Sequence, residues 1–266
     1  MKHQRTLPRL SDLGDDLLES TPWQRWQPMF MPPLYAFLFM AAWHFHLWPV
    51  SLAMLVMVFS ASSTSTHDVL HGCLGLRKRA SEWLIFFLGA CILESGHAYR
   101  ATHLRHHATF PDHEDVEGEA AHWPLWRVLL FGPAFLPRLW LTAWGQRPAD
   151  RLWLLVEAMV FPTVLALSLL VCPLCNSPLV YTVAVWVSSW FYPVFAVWLP
   201  HQNMLERPVR ISRTFRGRFL PKLFLPLAYH LEHHLYPKVP SHNLPELARR
   251  LEPFLVQAGV EPVLVP

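Results

Sequence analysis

Charge is what this chain has least of. Only 15% of its 266 residues are Asp, Glu, Lys or Arg, against about 25% in an ordinary soluble domain. The shortage is concentrated in two stretches. No charged residue stands between Arg25 and His67, nor between Glu157 and His201. Each gap is roughly forty residues, twice the roughly twenty that cross a bilayer core as a helix. Each therefore reads as two spans joined by a tight turn, which excludes a soluble globular domain. Other features are missing too. The N-terminal stretch MKHQRTLPRLSDLGDDLLESTPW has no apolar run behind its basic residues, so it is expected to be a polar cytosolic arm and not a cleavable signal peptide. The four cysteines show no disulfide-framework spacing apart from CPLC at 172–175, which reads as small apolar residues in a turn and not as a redox or metal pair. There is no GxGxxG, no iron–sulfur cysteine pattern and no strand-like alternation.

What is present suggests an all-α integral membrane protein, one domain over residues 1–266, with two helical hairpins at roughly 29–47 with 48–65 and 153–171 with 179–199. The turns LWPVS and CPLCNSP carry no Lys or Arg. Basic residues gather instead on the flanks, namely Lys2, Arg5 and Arg9; Arg77, Lys78 and Arg79; Arg138, Arg147 and Arg151; and Arg207, Arg210, Arg213, Arg216, Arg218 and Lys222. Positive charge favours the cytosolic side, so both termini and every flank are expected there, as in a bacterial inner membrane. The segment 83–96 is too short to cross and would have to return, so it reads as interfacial or re-entrant. The segment 125–144, interrupted by Pro133 and Pro137, reads as interfacial. Near the C-terminus, Asn243 is a candidate cap with Pro245 early in a helix, Leu247, Leu251 and Leu255 form one apolar face, and Arg249 and Arg250 face water.

Histidine clusters punctuate the same predicted face: HDVLH at 67–71, HLRHH at 103–107, His201 after WLP, and HLEHH at 230–234. Residues at i, i+3 and i+4 share a face of a helix, and neutral imidazole is the commonest protein metal ligand. His67, His71, His103, His106, His107, His201, His230, His233 and His234 make nine candidates. A single ion takes about four to six ligands of this kind, so nine suit two ions. An isolated histidine more often caps a helix or sits at an interface, and His3, His44, His46, His97, His122 and His242 are assigned there, with His113 as a loop residue. Metal-bound imidazoles need a partner on the other ring nitrogen. The acidic run Asp112, Glu114, Asp115 and Glu117 offers such partners, as do Asp68 and Glu232; Asp68, Asp112, Asp115 and Glu232 are the chosen candidates.

An HxxxH box after one hairpin and two HxxHH boxes flanking another together resemble the integral-membrane fatty acid desaturase superfamily, over about residues 28–257. The resemblance implies two iron ions held by the histidines, activating dioxygen against an unactivated C–H bond of a lipid. The tail HLEHHLYPKVPSHNLPEL looks like that of acyl-chain desaturases, implying lipid metabolism. HDVLHG and WLPH are also similar to bacterial carotenoid ketolases and hydroxylases, in which the histidine after WLP is a ligand; that supports His201. Electrons have to come from outside, from a ferredoxin, rubredoxin or similar carrier on the cytosolic face, with the basic run Arg207–Lys222 as the place to receive it. Trp83, Phe86, Phe87, Trp186, Trp190, Phe191 and Phe195 are candidates for an apolar lining. A metal transporter is the reading from another class, but a transporter places its ligands at mid-membrane depth, whereas these lie at one edge.

Overall fold

The computed structural model describes residues 7–112, 114–204 and 209–266. Lys2, His3, Arg5, His113 and Arg207 therefore lie outside the described residues. The described chain is predominantly helical. Among the described residues, three helices are long and apolar enough to cross a membrane, Trp48–Leu70, Pro148–Val171 and Ser177–His201.

Helix α1 (Pro22–His44) opens with a reciprocal cap, in which Gln24 N–H donates to Thr21 Oγ1 and Thr21 N–H donates to Gln24 Oε1. It matches a span in length, with 23 residues, but Gln24, Arg25, Gln27 and three internal prolines dilute its hydropathy, and it is not one of the three. It packs along α2 (Trp48–Leu70). His44 and His46 are exposed at the turn between them. Helices α3 (Lys78–Cys91) and α4 (Gly96–Thr109) then form a helical hairpin. A Cβ on Gly89 would strike the Glu94 carbonyl, and one on Gly96 the Ile85 carbonyl, so two glycines let this hairpin close tightly. Its tip is tied to the second apolar pair, because Tyr181 Oη donates to the Cys91 carbonyl at 2.6 Å. The chain thus reverses after α3, and α4 runs back beside it.

Helix α5 (Leu125–Gln146) runs unbroken through Pro133 and Pro137, where the sequence suggested an interruption. Each proline removes one backbone donor, but Val128, Phe135, Leu139 and Ala143 on one face are buried and hold the helix together. Helices α6 (Arg151–Ala158) and α7 (Val160–Val171) lie in one of the three segments long enough to cross, and α8 (Ser177–Ser189) begins the next. The turn between them keeps Cys172 and Cys175 as free thiols. Beyond α8 the coil widens to a π turn over Pro193–Trp198 before reaching His201.

The rest forms a cap. Helix α9 (His230–Leu235) carries the last histidine box, and α10 (Leu244–Gln257) covers it with Leu247, Leu251 and Leu255 buried, as their spacing predicts. Two details differ from expectation. Asn243 does not cap through its side chain; its Nδ2 donates to the Leu17 and Glu19 carbonyls. Arg250 does not simply face water, since it pairs with Asp16 and donates to the Leu13 carbonyl, fastening the N-terminal arm to the cap. A short parallel pairing of Phe215–Arg216 with Val263–Leu264 also has no signal in the sequence, being too short to show alternation.

Candidate metal centre

The last turn of α2 delivers His67, and His71 follows one turn later at its end. Helix α4, capped by Ser95 Oγ accepting from Ala98 N–H, carries His103, His106 and His107. Helix α9 carries His230, His233 and His234. The structure gathers all nine candidate histidines into two groups, His67, His71, His103, His107 and His233 in one and His106, His201, His230 and His234 in the other. Within each group the nitrogens that could serve as donors lie within 4.8 Å of one another. Seven of the nine side chains are buried, and His107 and His234 are half-buried.

The boxes divide between the groups in a reciprocal way. Positions i and i+4 of HLRHH, His103 and His107, join the group of five, and i+3, His106, joins the group of four. In HLEHH the same two positions, His230 and His234, join the group of four, and His233 joins the group of five. His107 and His234, from different groups, stack with ring centroids 4.2 Å apart.

The donor atoms face one another closely. Nε2 of His67 is 2.8 Å from Nε2 of His233, which is 2.8 Å from Nε2 of His107. In the other group, Nε2 of His201 lies 3.2 Å from that of His106 and 2.8 Å from that of His230. In this second group these are not hydrogen bonds among ring nitrogens. His106 Nδ1–H donates to Asp115 Oδ2 (2.6 Å), His201 Nδ1–H to the Ile211 carbonyl (2.8 Å) and His230 Nδ1–H to the Pro226 carbonyl (2.9 Å). With the protons committed outward, three bare Nε2 lone pairs point at each other. Burial forbids relieving this by protonation, pushing His230 down to about 3 and His71 to about 2, and His233 and His234 well below the ordinary value. Neutral rings with converging lone pairs repel unless a cation stands between them. The spacing suits one, since neighbouring ligands at right angles around a metal about 2.1 Å away stand about 3 Å apart. In the group of five, buried His67 Nδ1, His71 Nε2 and His233 Nδ1 have no hydrogen-bond partner. The residues present fit a pair of metal ions.

The outer partners are partly other than expected. Asp115 holds His106. Asp112 is exposed and, among the described residues, bonds no histidine ring. Glu117 takes that place, accepting from His103 Nδ1 at 3.0 Å, and burial pushes its carboxyl up to about 7. Glu232 is fully buried but is held by Thr214 Oγ1 and Arg216 Nη2 and, among the described residues, bonds no ring. Asp68 accepts from Ser241 N–H and Oγ–H, and stands 3.7 Å from His67 Nδ1, beyond hydrogen-bonding range. The two backbone carbonyls, Ile211 and Pro226, carry no residue-type signal that a sequence could display. His97, expected at a cap or interface, lies wholly buried between Glu157 Oε1 (2.7 Å) and Glu82 Oε2 (2.8 Å). Of the lining candidates, Trp83, Phe87, Trp186, Phe191 and Phe195 are exposed on the outside of the helices.

No curated protein and no solved structure matches the chain. A family model described as fatty acid desaturase matches residues 41–263, a stretch that includes all nine histidines and both carboxylates that hold them. The chain belongs to the fatty acid desaturase family.

Proposed function

We propose that this protein is a membrane di-iron oxidoreductase that uses dioxygen and external electrons to desaturate or hydroxylate a lipid acyl chain. The observation that carries the reading is the pair of imidazole groups with converging nitrogens, five rings and four, brought together from α2, α4, α9 and the coil ending at His201. Two bound irons would supply oxygen activation strong enough to cleave an aliphatic C–H bond. In desaturation, dioxygen leaves as water, taking up the two hydrogens removed from the chain together with two electrons and two protons from outside.

The chain's own residues hold, orient and shield. Asp115, Glu117 and the Ile211 and Pro226 carbonyls fix which nitrogen of each ring carries the proton and where the other points. The cap under α10 keeps bulk water from the rings. An insoluble substrate reaches such a site by sliding in from lipid. In this reading α1 is a fourth span, residues 1–266 act as one unit, and both termini and all boxes lie in the cytosol. A ferredoxin, rubredoxin or similar donor docks over the basic stretch that includes Arg210, Arg213, Arg216, Arg218 and Lys222. A metal transporter fits less well, because the rings sit at helix ends and form no path along the spans.

A carotenoid ketolase or hydroxylase is the second reading, favoured by the participation of His201 in the group of four. Expression in an ordinary bacterial host and in one that makes β-carotene, followed by lipid and pigment profiling, separates the two. New unsaturated or hydroxylated acyl chains support the first reading. Oxygenated carotenoids with unchanged fatty acids overturn it.

A further inference from the structure

Tyr192 and His201 are nine residues apart on one continuous coil. An α-helix turns about 100° per residue, so nine steps make about two and a half turns and leave the two side chains on opposite faces. The π turn over Pro193–Trp198 rotates less per residue and removes that opposition. Both side chains consequently face the metal centre: His201 Nε2 comes to 3.2 Å from Nε2 of His106 on α4, and Tyr192 Oη donates to Glu117 Oε1, in the loop after α4, at 3.0 Å. That same oxygen accepts His103 Nδ1–H at 3.0 Å. The start of the widened segment is held from outside. Gly132 of α5 lies so close under the Trp190 carbonyl that a Cβ there would collide with it, and the Tyr192 ring is flanked by Phe135 and Tyr99.

We propose that Tyr192 is a positioning residue of the metal centre, acting through Glu117 on His103. The inference rests on the metal-binding reading above. One carboxylate oxygen serves two donors, so the hydroxyl takes a share of the negative charge that would otherwise act on the imidazole. Removing the hydroxyl takes one donor from that oxygen and leaves His103 Nδ1–H bonded to it. The ring then becomes more electron-rich, binds the ion of the group of five more strongly in its oxidised form, and lowers its potential. Replacing the carboxylate by an amide does the reverse.

The test compares wild type, Tyr192→Phe and Glu117→Gln in one buffer at one pH. Each is loaded with iron for redox titration and, separately, with cobalt(II) for visible spectra, with metal counted in every sample. The expected result is two ions per chain in Tyr192→Phe, a midpoint potential more negative than wild type for one ion, and a shift in the cobalt bands of one ion only. Glu117→Gln should move the potential of the same ion the other way. Unchanged potentials and bands in Tyr192→Phe, shifts of one sign in both variants, or loss of both ions from Tyr192→Phe would overturn the proposal. A wild-type chain that holds no metal would instead sink the metal-binding reading itself, and this proposal with it.

Discussion

His106 and His107 are consecutive residues that serve different groups, Nε2 of His106 standing 3.2 Å from His201 and Nε2 of His107 standing 2.8 Å from His233. One residue on a helix is about 100° of rotation, enough to send neighbouring rings to two separate points. The HxxHH spacing is thereby a distributing device: two rings one turn apart serve one point, and the ring between them serves the other.

Losing His106 removes one of four rings from its group and touches no apolar span. His106→Ala should insert into the membrane at wild-type levels, retain about one metal ion per chain in place of two, and form no product. Membrane fractionation, metal analysis and product profiling check the three parts. Full activity in this variant would end the di-iron mechanism.

Asp115 fixes His106 by a short charge-assisted bond, whereas Asp112 is exposed. Outer partners of this kind are worth about 10- to 100-fold in metal affinity. Asp115→Asn should weaken binding of one ion by that factor in a competition titration, and Asp112→Asn should leave both unchanged.

The metal-free protein should lose stability on mild acidification. Burial depresses His71 to about 2 and His230 to about 3 in the folded state, while the unfolded chain titrates near 6.5. Below pH ~6.5 the unfolded state therefore binds protons that the folded state refuses. The stability is fully present above that pH and falls by up to about 1.4 kcal/mol per ring for each unit below it. Melting curves of chelator-treated protein in detergent at pH 8, 6.5 and 5 should show the midpoint dropping only between the last two. A midpoint flat from 8 to 5 would contradict the burial of these rings.

His97 bridges Glu157 and Glu82 with both ring nitrogens and stacks on Trp153 at 4.7 Å. His97→Ala takes the ring donor from Glu157, whose side chain is only 2% exposed, leaving it the Ser95 hydroxyl and the backbone N–H at position 97, and losing one partner of a buried polar group costs about 1–3 kcal/mol. Adding Glu157→Ala to it should recover part of that loss, so the double variant should melt above the sum of the singles. Strict additivity would mean the two groups do not act together.

Cysteines introduced beside Pro49 and Pro173 should react with an impermeant reagent from outside the cell, and one beside His103 should not. Outer labelling near His103 would separate the histidine boxes onto two sides and dissolve the shared site.

Much of this protein was legible in its sequence because the deciding relations are local. The charge-free stretches announce apolar helices through composition alone. The three boxes announce clustered imidazoles because i, i+3 and i+4 meet on any helix, and His201 follows from its place at the end of an apolar run. Tertiary structure decided the rest. Which histidine goes to which group depends on where α2, α4, α9 and the coil ending at His201 stand relative to one another. The choice of Glu117 and Asp115 over Asp112 depends on the path of the loop after α4. The Ile211 and Pro226 carbonyls could serve as acceptors whatever residue stood there, so no letter marks them. The continuity of α5 through two prolines reflects a buried face that outweighs two missing backbone donors. Local spacing could name the ligands, but only the assembled helices could decide how two groups share them, because that division is set by contacts between residues as much as 166 positions apart.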